Sequence, residues 1–306
     1  MGAARALQPQ WPQGDYASPP TFAVTRALAS ACLPMLAGVG HEVGIPRSGV
    51  AVLLLAWRSP MTPGTLAATL GMTPSAMTTV VADLAAAGLA TRDTDPDDGR
   101  RAIVATTEAG QDALLAALRP LRVQLDEVDQ RFGGDRSRVG RTFIVRCAQA
   151  LETGYGLDAR GPEEDARRGD TLMAVLRFAT AVPPMLAVLA DSLGISRSEM
   201  DAMLVFAERA SGPGDLALRL GLTPSAGSQV VERLTARGLV TKAQDPADRR
   251  RVVIALSDAF LTRMAERTLG FQQAAQSLDA ASDAAALDMG RAFMDAVVSA
   301  VRHVHG

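Results

Sequence analysis

The stretch that decides the fold is Leu70-Gly71-Met72-Thr73-Pro74-Ser75, which returns 150 positions later as Leu220-Gly221-Leu222-Thr223-Pro224-Ser225. The same offset holds without a gap on either side. Pro34-Met35-Leu36 falls on Pro184-Met185-Leu186, and Gly44-Ile45-Pro46-Arg47-Ser48 falls on Gly194-Ile195-Ser196-Arg197-Ser198. Aligned position by position, residues 71–106 and 221–256 share 18 identities in 36. A period of this length is too long for a solenoid repeat, so the chain is a duplicated domain.

Within each copy the quoted stretch joins two helices. Thr73 is placed to accept a backbone N–H as N-cap, Pro74 suits the first helical position, and Gly88 supplies the stop. Met77, Val80, Val81 and Leu84 recur at i, i+3, i+4 and i+7, which predicts one buried face. Upstream, the pattern predicts a short helix from Pro63, another over Arg47–Trp57, and a long apolar helix over Phe22–Gly40 that Pro34 should kink. Downstream, two short strands, Leu89–Arg92 and Ala102–Thr106, flank the turn-rich Asp95-Pro96-Asp97-Asp98-Gly99. Thr107 should then cap a single helix reaching Phe132, and a last helix should cover Arg136–Leu151. The second half repeats this order. The expected organisation is a loose arm over 1–20, a first domain over 21–152, an exposed linker over 153–169, and a second domain over 170–306.

Composition removes several function classes. The 306 residues are 48% hydrophobic and 21% charged, enough to bury a core in each of two domains. Only Cys32 and Cys147 occur, which excludes a disulfide framework and a multi-cysteine zinc site. The three histidines are His41, His303 and His305, so no metal centre and no cofactor is expected. The start of the chain carries Trp11, Asp15 and four prolines where a signal peptide needs an apolar core. No apolar run is expected to cross a bilayer, so the reading is a soluble, cytoplasmic chain without a membrane partner. A net charge of −2 gives no global nucleic-acid signature, and any such contact must come from a local patch.

A short helix, a tight turn, a second helix and a hairpin tipped with Asp and Arg resemble a winged helix-turn-helix. The residues resemble those of the MarR family of bacterial transcription regulators. In the first copy the resemblance runs through Thr73-Pro74-Ser75 to Leu84, Gly88-Leu89, Asp95-Pro96-Asp97-Asp98-Gly99-Arg100-Arg101 and Thr107-Glu108-Ala109-Gly110. In the second it runs through Thr223-Pro224-Ser225 to Leu234, Gly238-Leu239-Val240, Asp245-Pro246-Ala247-Asp248-Arg249-Arg250 and Leu256-Ser257-Asp258. The resemblance implies a mainly α fold and binding of double-stranded DNA. Family members are homodimers joined through their terminal helices. This chain resembles both protomers fused, a tandem winged-helix protein whose long terminal helices form an intramolecular pseudo-dimer and which acts as a monomer.

Such a recognition helix reads base edges in the major groove with the polar residues on its outer face. In copy two these are Ser225, Ser228, Gln229 and Arg233; in copy one they are Ser75, Thr78 and Thr79, beside Ala76 and Asp83. The wing arginines Arg249, Arg250 and Arg251, and in copy one Arg100 and Arg101, would reach the minor groove. Asp83 stands where copy two has Arg233, and Gly99 where it has Arg249. Residues 71–106 carry three Arg against five Asp, a net −2, whereas 221–256 carry six Lys or Arg against three acids, a net +3. Because phosphate neutralisation dominates non-specific affinity, copy two is the expected stronger reader.

Other readings remain open at this level. The expected function is a sequence-specific DNA-binding regulator, a repressor relieved by a small ligand. The alternative is a degenerate winged-helix scaffold for a protein partner, for which the acidic face of copy one speaks. No Gly-rich phosphate loop, metal cluster or nucleophile–base set supports an enzyme. The family implies a small aromatic or anionic effector between the terminal helices and the winged domain, with Met35, Trp57, Met185 and Phe206 as candidate lining; helical spacing equally suits plain core. Cys32 invites a thiol-sensor reading, but its neighbours Ala31, Leu33 and Pro34 offer nothing that lowers a thiol pKa, which favours a structural role. Gly227, opposite the buried Met77, is either a packing adjustment or a close approach to another helix.

Overall fold

The computed structural model describes residues 20–94, 101–157, 170–208, 212–220, 223–244 and 252–305. Helix α1 (Pro20–Val43) leads into a first winged module made of α2 (Arg47–Arg58), α3 (Pro63–Leu70), α4 (Pro74–Ala86), β1 (Ala90–Thr94) and β2 (Ala102–Thr106). Then come α5 (Glu108–Ala117), α6 (Arg119–Phe132) and α7 (Gly134–Gly154). The order repeats as α8 (Thr171–Leu193), α9 (Arg197–Glu208), α10 (Pro213–Leu220), α11 (Pro224–Ala236), β3 (Val240–Gln244), β4 (Val252–Leu256), α12 (Asp258–Arg267), α13 (Leu269–Ala280) and α14 (Ala284–His305). Among the described residues the chain divides into a larger compact unit, 18–188 with 270–306, and a smaller one, 189–269.

The larger unit contains the first winged module and the terminal helices of both halves. In it α1 packs along α14, and α14 packs on α7 and α6. The contacts come in reciprocal pairs at the 150-residue offset. Gly140 lies under the Phe293 ring and Gly290 under the Phe143 ring, while within each half Arg141–Asp129 and Arg291–Asp279 repeat as ion pairs of 3.0 Å. Residue i touching j′ while i′ touches j, as the glycine–phenylalanine contacts do, is the signature of a two-fold isologous interface, here closed within one chain. Glu152 and Arg177, 8% and 3% exposed, form a buried 2.6 Å ion pair between α7 and α8 in the same unit.

The winged modules share their local devices. Thr73 and Thr223 cap α4 and α11 by accepting from the N–H groups of Ala76 and Ala226, each at 3.2 Å. Gly88 (φ +71°) and Gly238 (φ +66°) end those turns in the left-handed region, where a side chain would be strained. The hydroxyl of Thr107 donates to the Gly88 carbonyl at 2.7 Å while accepting from Gly110 N–H, and Ser257 repeats this with Gly238 and Phe260. Each hairpin is therefore pinned to the end of its recognition helix. The hairpins are antiparallel, with Ala90 opposite Thr106 and Val240 opposite Leu256.

Three expectations are corrected. The single helix from Thr107 to Phe132 is two, α5 and α6, broken at Leu118. Pro120 has no N–H for the Ala116 carbonyl and its ring clashes there, so the ladder cannot continue. In copy two the break persists without proline, and there Gly270 lies so close to Gly154 that a Cβ would stand 2.6 Å from that carbonyl oxygen. Secondly, α7 extends to Gly154, into the stretch expected to be linker; 158–169, like 1–19, lie outside the described residues. Thirdly, Thr21–Val43 and Thr171–Leu193 are long and apolar enough to cross a membrane by length and composition. Burial accounts for that composition, since 56% and 83% of their most apolar windows are covered by protein. Pro34, Pro183 and Pro184 lie inside these helices, which continue through them.

Candidate nucleic-acid interface

The recognition helices follow directly from their apolar spacing. In α4 Met77, Val81 and Leu84 are buried and Val80 is half-buried, which turns Ser75, Ala76, Thr78, Thr79, Ala82 and Asp83 to solvent. In α11 Gly227, Val230, Val231 and Leu234 are buried, and Ser225, Ser228, Gln229, Glu232 and Arg233 are exposed. Every recognition-helix residue expected to face outward is exposed. Gly227 is a close approach: a Cβ there would stand 2.8 Å from the Ala217 Cβ and 3.1 Å from the Pro213 carbonyl oxygen, so α10 and α11 pack through glycine.

The two faces differ in what they offer a ligand. Thr78 and Thr79 donate their hydroxyls to the carbonyls of Pro74 and Ser75, at 2.9 and 3.3 Å, as threonines within helices commonly do. Their outward surface is then methyl groups and oxygen lone pairs, with Asp83 as the ionised group of that face. On α11 the amide of Gln229 and the guanidinium of Arg233 are long, planar groups suited to bidentate hydrogen bonds. Arg101 is exposed at the foot of β2. The other wing residues singled out, Gly99, Arg100, Asp248, Arg249, Arg250 and Arg251, lie outside the described residues.

Three of the four proposed effector residues sit in the core. Met35 and Phe206 are fully buried, Met185 is buried and Trp57 is half-buried. A cavity of about 160 Å³ does lie in the larger unit, lined by chain neighbours of two of them, Arg58 and Pro184, with Leu55, Thr65, Glu152 and Thr180. Arg58 donates to the Thr180 hydroxyl at 3.3 Å on its wall. Its polar wall comes from α2, α3, α7 and α8 together. Burial pushes the thiols of Cys32 and Cys147 up to about 12, as expected for structural cysteines. Among the described residues no group of three His, Cys, Asp or Glu could hold a metal ion.

Two N-capped, solvent-facing helices, each braced by its own hairpin and repeated in one chain, define a tandem winged helix-turn-helix protein. The model of the MarR family matches residues 43–101 and again 193–251, at the same place in each repeat. The chain is 34% identical over 91 residues to an uncharacterised HTH-type transcriptional regulator of Mycobacterium leprae, covering 30% of this chain and 64% of the relative. It is 39% identical over 77 residues to another from Mycobacterium bovis, covering 25% and 54%. The chain thus spans between 54% and 64% of these curated relatives' lengths. Among solved structures it is similar to a variant of S. aureus MepR, at 18% identity over 36% of this chain and 83% of that one, with a TM-score of 0.27. It is also similar to a transcriptional regulator of Thermotoga maritima, at 27% identity over 33% and 72%, with a TM-score of 0.26.

Proposed function

We propose that the chain is a sequence-specific, double-stranded DNA-binding transcriptional regulator that acts as a single polypeptide in the cytoplasm. The observation that carries this is the paired set of solvent-facing recognition helices, one of which presents Gln229 and Arg233 outward. The two family segments, and relatives described as HTH-type transcriptional regulators, support it. Copy two is the stronger reader, since its reading segment carries +3 against −2 for copy one. The duplicated domains correspond to 21–152 and 170–306, with the larger unit formed by helices that each half contributes. The regulator acts as a repressor, and the cavity beside Arg58 and Thr180 gives room for a small anionic or aromatic effector that relieves it.

The test is selection of bound duplexes from a random DNA pool, followed by affinity measurements across a salt series. A defined site bound with a steep salt dependence supports the reading. Absence of binding to any duplex at low salt would overturn it and favour a protein-binding scaffold.

A further inference from the structure

The two copies differ in one polar device behind the recognition helix, and it lies wholly within the smaller unit. Ser196 caps α9, and Glu199 three residues on completes a capping box. Its carboxylate accepts from the Ser196 N–H at 2.7 Å and lies 2.9 Å from the Ser196 hydroxyl. The same carboxylate is gripped from the other side by Arg237, the C-cap of α11, whose Nη1 lies 2.9 Å from both oxygens. The second arm of that guanidinium, Nη2, donates to the Gly194 carbonyl at 2.5 Å, and Arg263 of α12 donates to the Leu193 carbonyl at 2.8 Å. Two cations therefore close the C-terminal end of α8, where the helix dipole favours them. In copy one the positions of Ser196, Glu199, Arg237 and Arg263 hold Pro46, Gly49, Ala87 and Ala113, and no such brace can form.

We infer that Glu199 and Arg237 are positioning residues for DNA reading: together they hold the last turn of α11 against the corner between α8 and α9. This rests on the reading that copy two binds DNA. The grip falls on the turn that carries the reader, since the Arg237 N–H donates to the carbonyl of Arg233 at 3.1 Å. Glu199 is 8% exposed and acidic, so it contributes to affinity through Arg237 and not by touching phosphate. Arg237 is 40% exposed, and its fork is spent on Glu199 and Gly194. A helix held at its C-terminal end presents Gln229 and Arg233 without first being ordered, which favours the specific site over random DNA.

The experiment compares Glu199→Ala and Arg237→Met in the full chain. The readouts are affinity for the selected duplex, affinity for a random duplex of the same length, the salt slope of each, and amide hydrogen exchange over 233–237. Glu199→Ala also removes a cap, so Arg237→Met, which leaves the Ser196–Glu199 box whole, decides the matter if the first variant unfolds. Both variants are expected to lower the ratio of specific to random affinity about five- to tenfold, with unchanged salt slopes and faster exchange at the end of α11. If Arg237→Met instead lowers the slope by about one and leaves the ratio intact, Arg237 is a phosphate contact and the inference falls. Parental affinity ratios and exchange rates in both variants would also overturn it. Should the parent bind no DNA, the functional reading fails by itself, and exchange over 233–237 still decides whether the brace holds α11.

Discussion

Gly140 of α7 packs against Phe293 of α14 so closely that a Cβ on the glycine would stand 2.1 Å from the ring's Cγ, and Gly290 meets Phe143 in the same way at 2.4 Å. Phe293 is fully buried and Phe143 nearly so, and Phe132 meets the Phe293 ring edge-on at 5.1 Å. The pairs are one contact written twice, and they lock the terminal helices of the two halves together. Gly140→Ala and Gly290→Ala should each destabilise the protein by about 1–3 kcal/mol through overpacking. Phe293→Ala combined with Gly140→Ala should cost less than the sum of the two single changes, because removing the ring from Cγ outward takes away the atoms nearest the new methyl. Urea unfolding of the four variants checks this; additive losses would mean that the glycine is not held by that ring.

Because this interface is satisfied inside one chain, the protein should run at the mass of a single chain, 32.0 kDa, in light scattering at micromolar concentration. A stable dimer held by the faces of α7 and α14 would contradict the internal closure.

The two thiols are fully buried, Cys147 beside the Thr25 hydroxyl, and burial raises both to about 12. Neither should react with a thiol reagent in the native protein near pH ~8, and both should react on unfolding. Rapid native labelling of Cys32 would revive the sensor reading.

Burial pushes the Glu199 carboxyl up, but hydrogen bonds from the Ser196 N–H and from Arg237, with the charge of Arg237, outweigh it and leave the pKa below its ordinary 4.5. A lowered carboxylate pKa gives stability that is complete above the unfolded value and lost as pH falls through the folded one. Arg237→Met should therefore raise the acid midpoint of the smaller unit, with a stability loss that is full above about pH 4.5 and fades as pH falls through the folded value. Circular dichroism along an acid titration measures it, and identical midpoints would remove Arg237 as the cause.

The readers differ at Thr79 against Gln229 and Asp83 against Arg233, so the preferred operator should be asymmetric, with a defined half-site under copy two. Removing a bidentate base contact costs about 1–3 kcal/mol, so Arg233→Ala, Gln229→Ala and Arg250→Ala should weaken binding far more than Thr79→Ala or Arg100→Ala. Equal losses from both copies on one selected duplex, together with a palindromic site, would end the asymmetry.

The repeat, the order of elements and the outward face of each recognition helix are legible in the residues alone. Those depend on local rules: Thr73 and Thr223 as caps, proline after each, and an apolar spacing that leaves Gln229 and Arg233 no inward option. A gap-free offset of 150 also made the internal pairing of terminal helices legible, since a face used once must be used again by its copy. Which residues meet depends on how the helices pack. Glu199 and Arg237 stand 38 positions apart and carry no periodic signal, so their ion pair exists only once α9 and the end of α11 are brought together. The polar wall of Arg58, Thr65, Glu152 and Thr180 is likewise assembled from four helices, whereas Met35, Met185 and Phe206 lie on faces that their own helices bury. Gly227 was ambiguous for the same reason: what a missing side chain makes room for depends on the neighbouring helix, here α10 through Ala217 and Pro213.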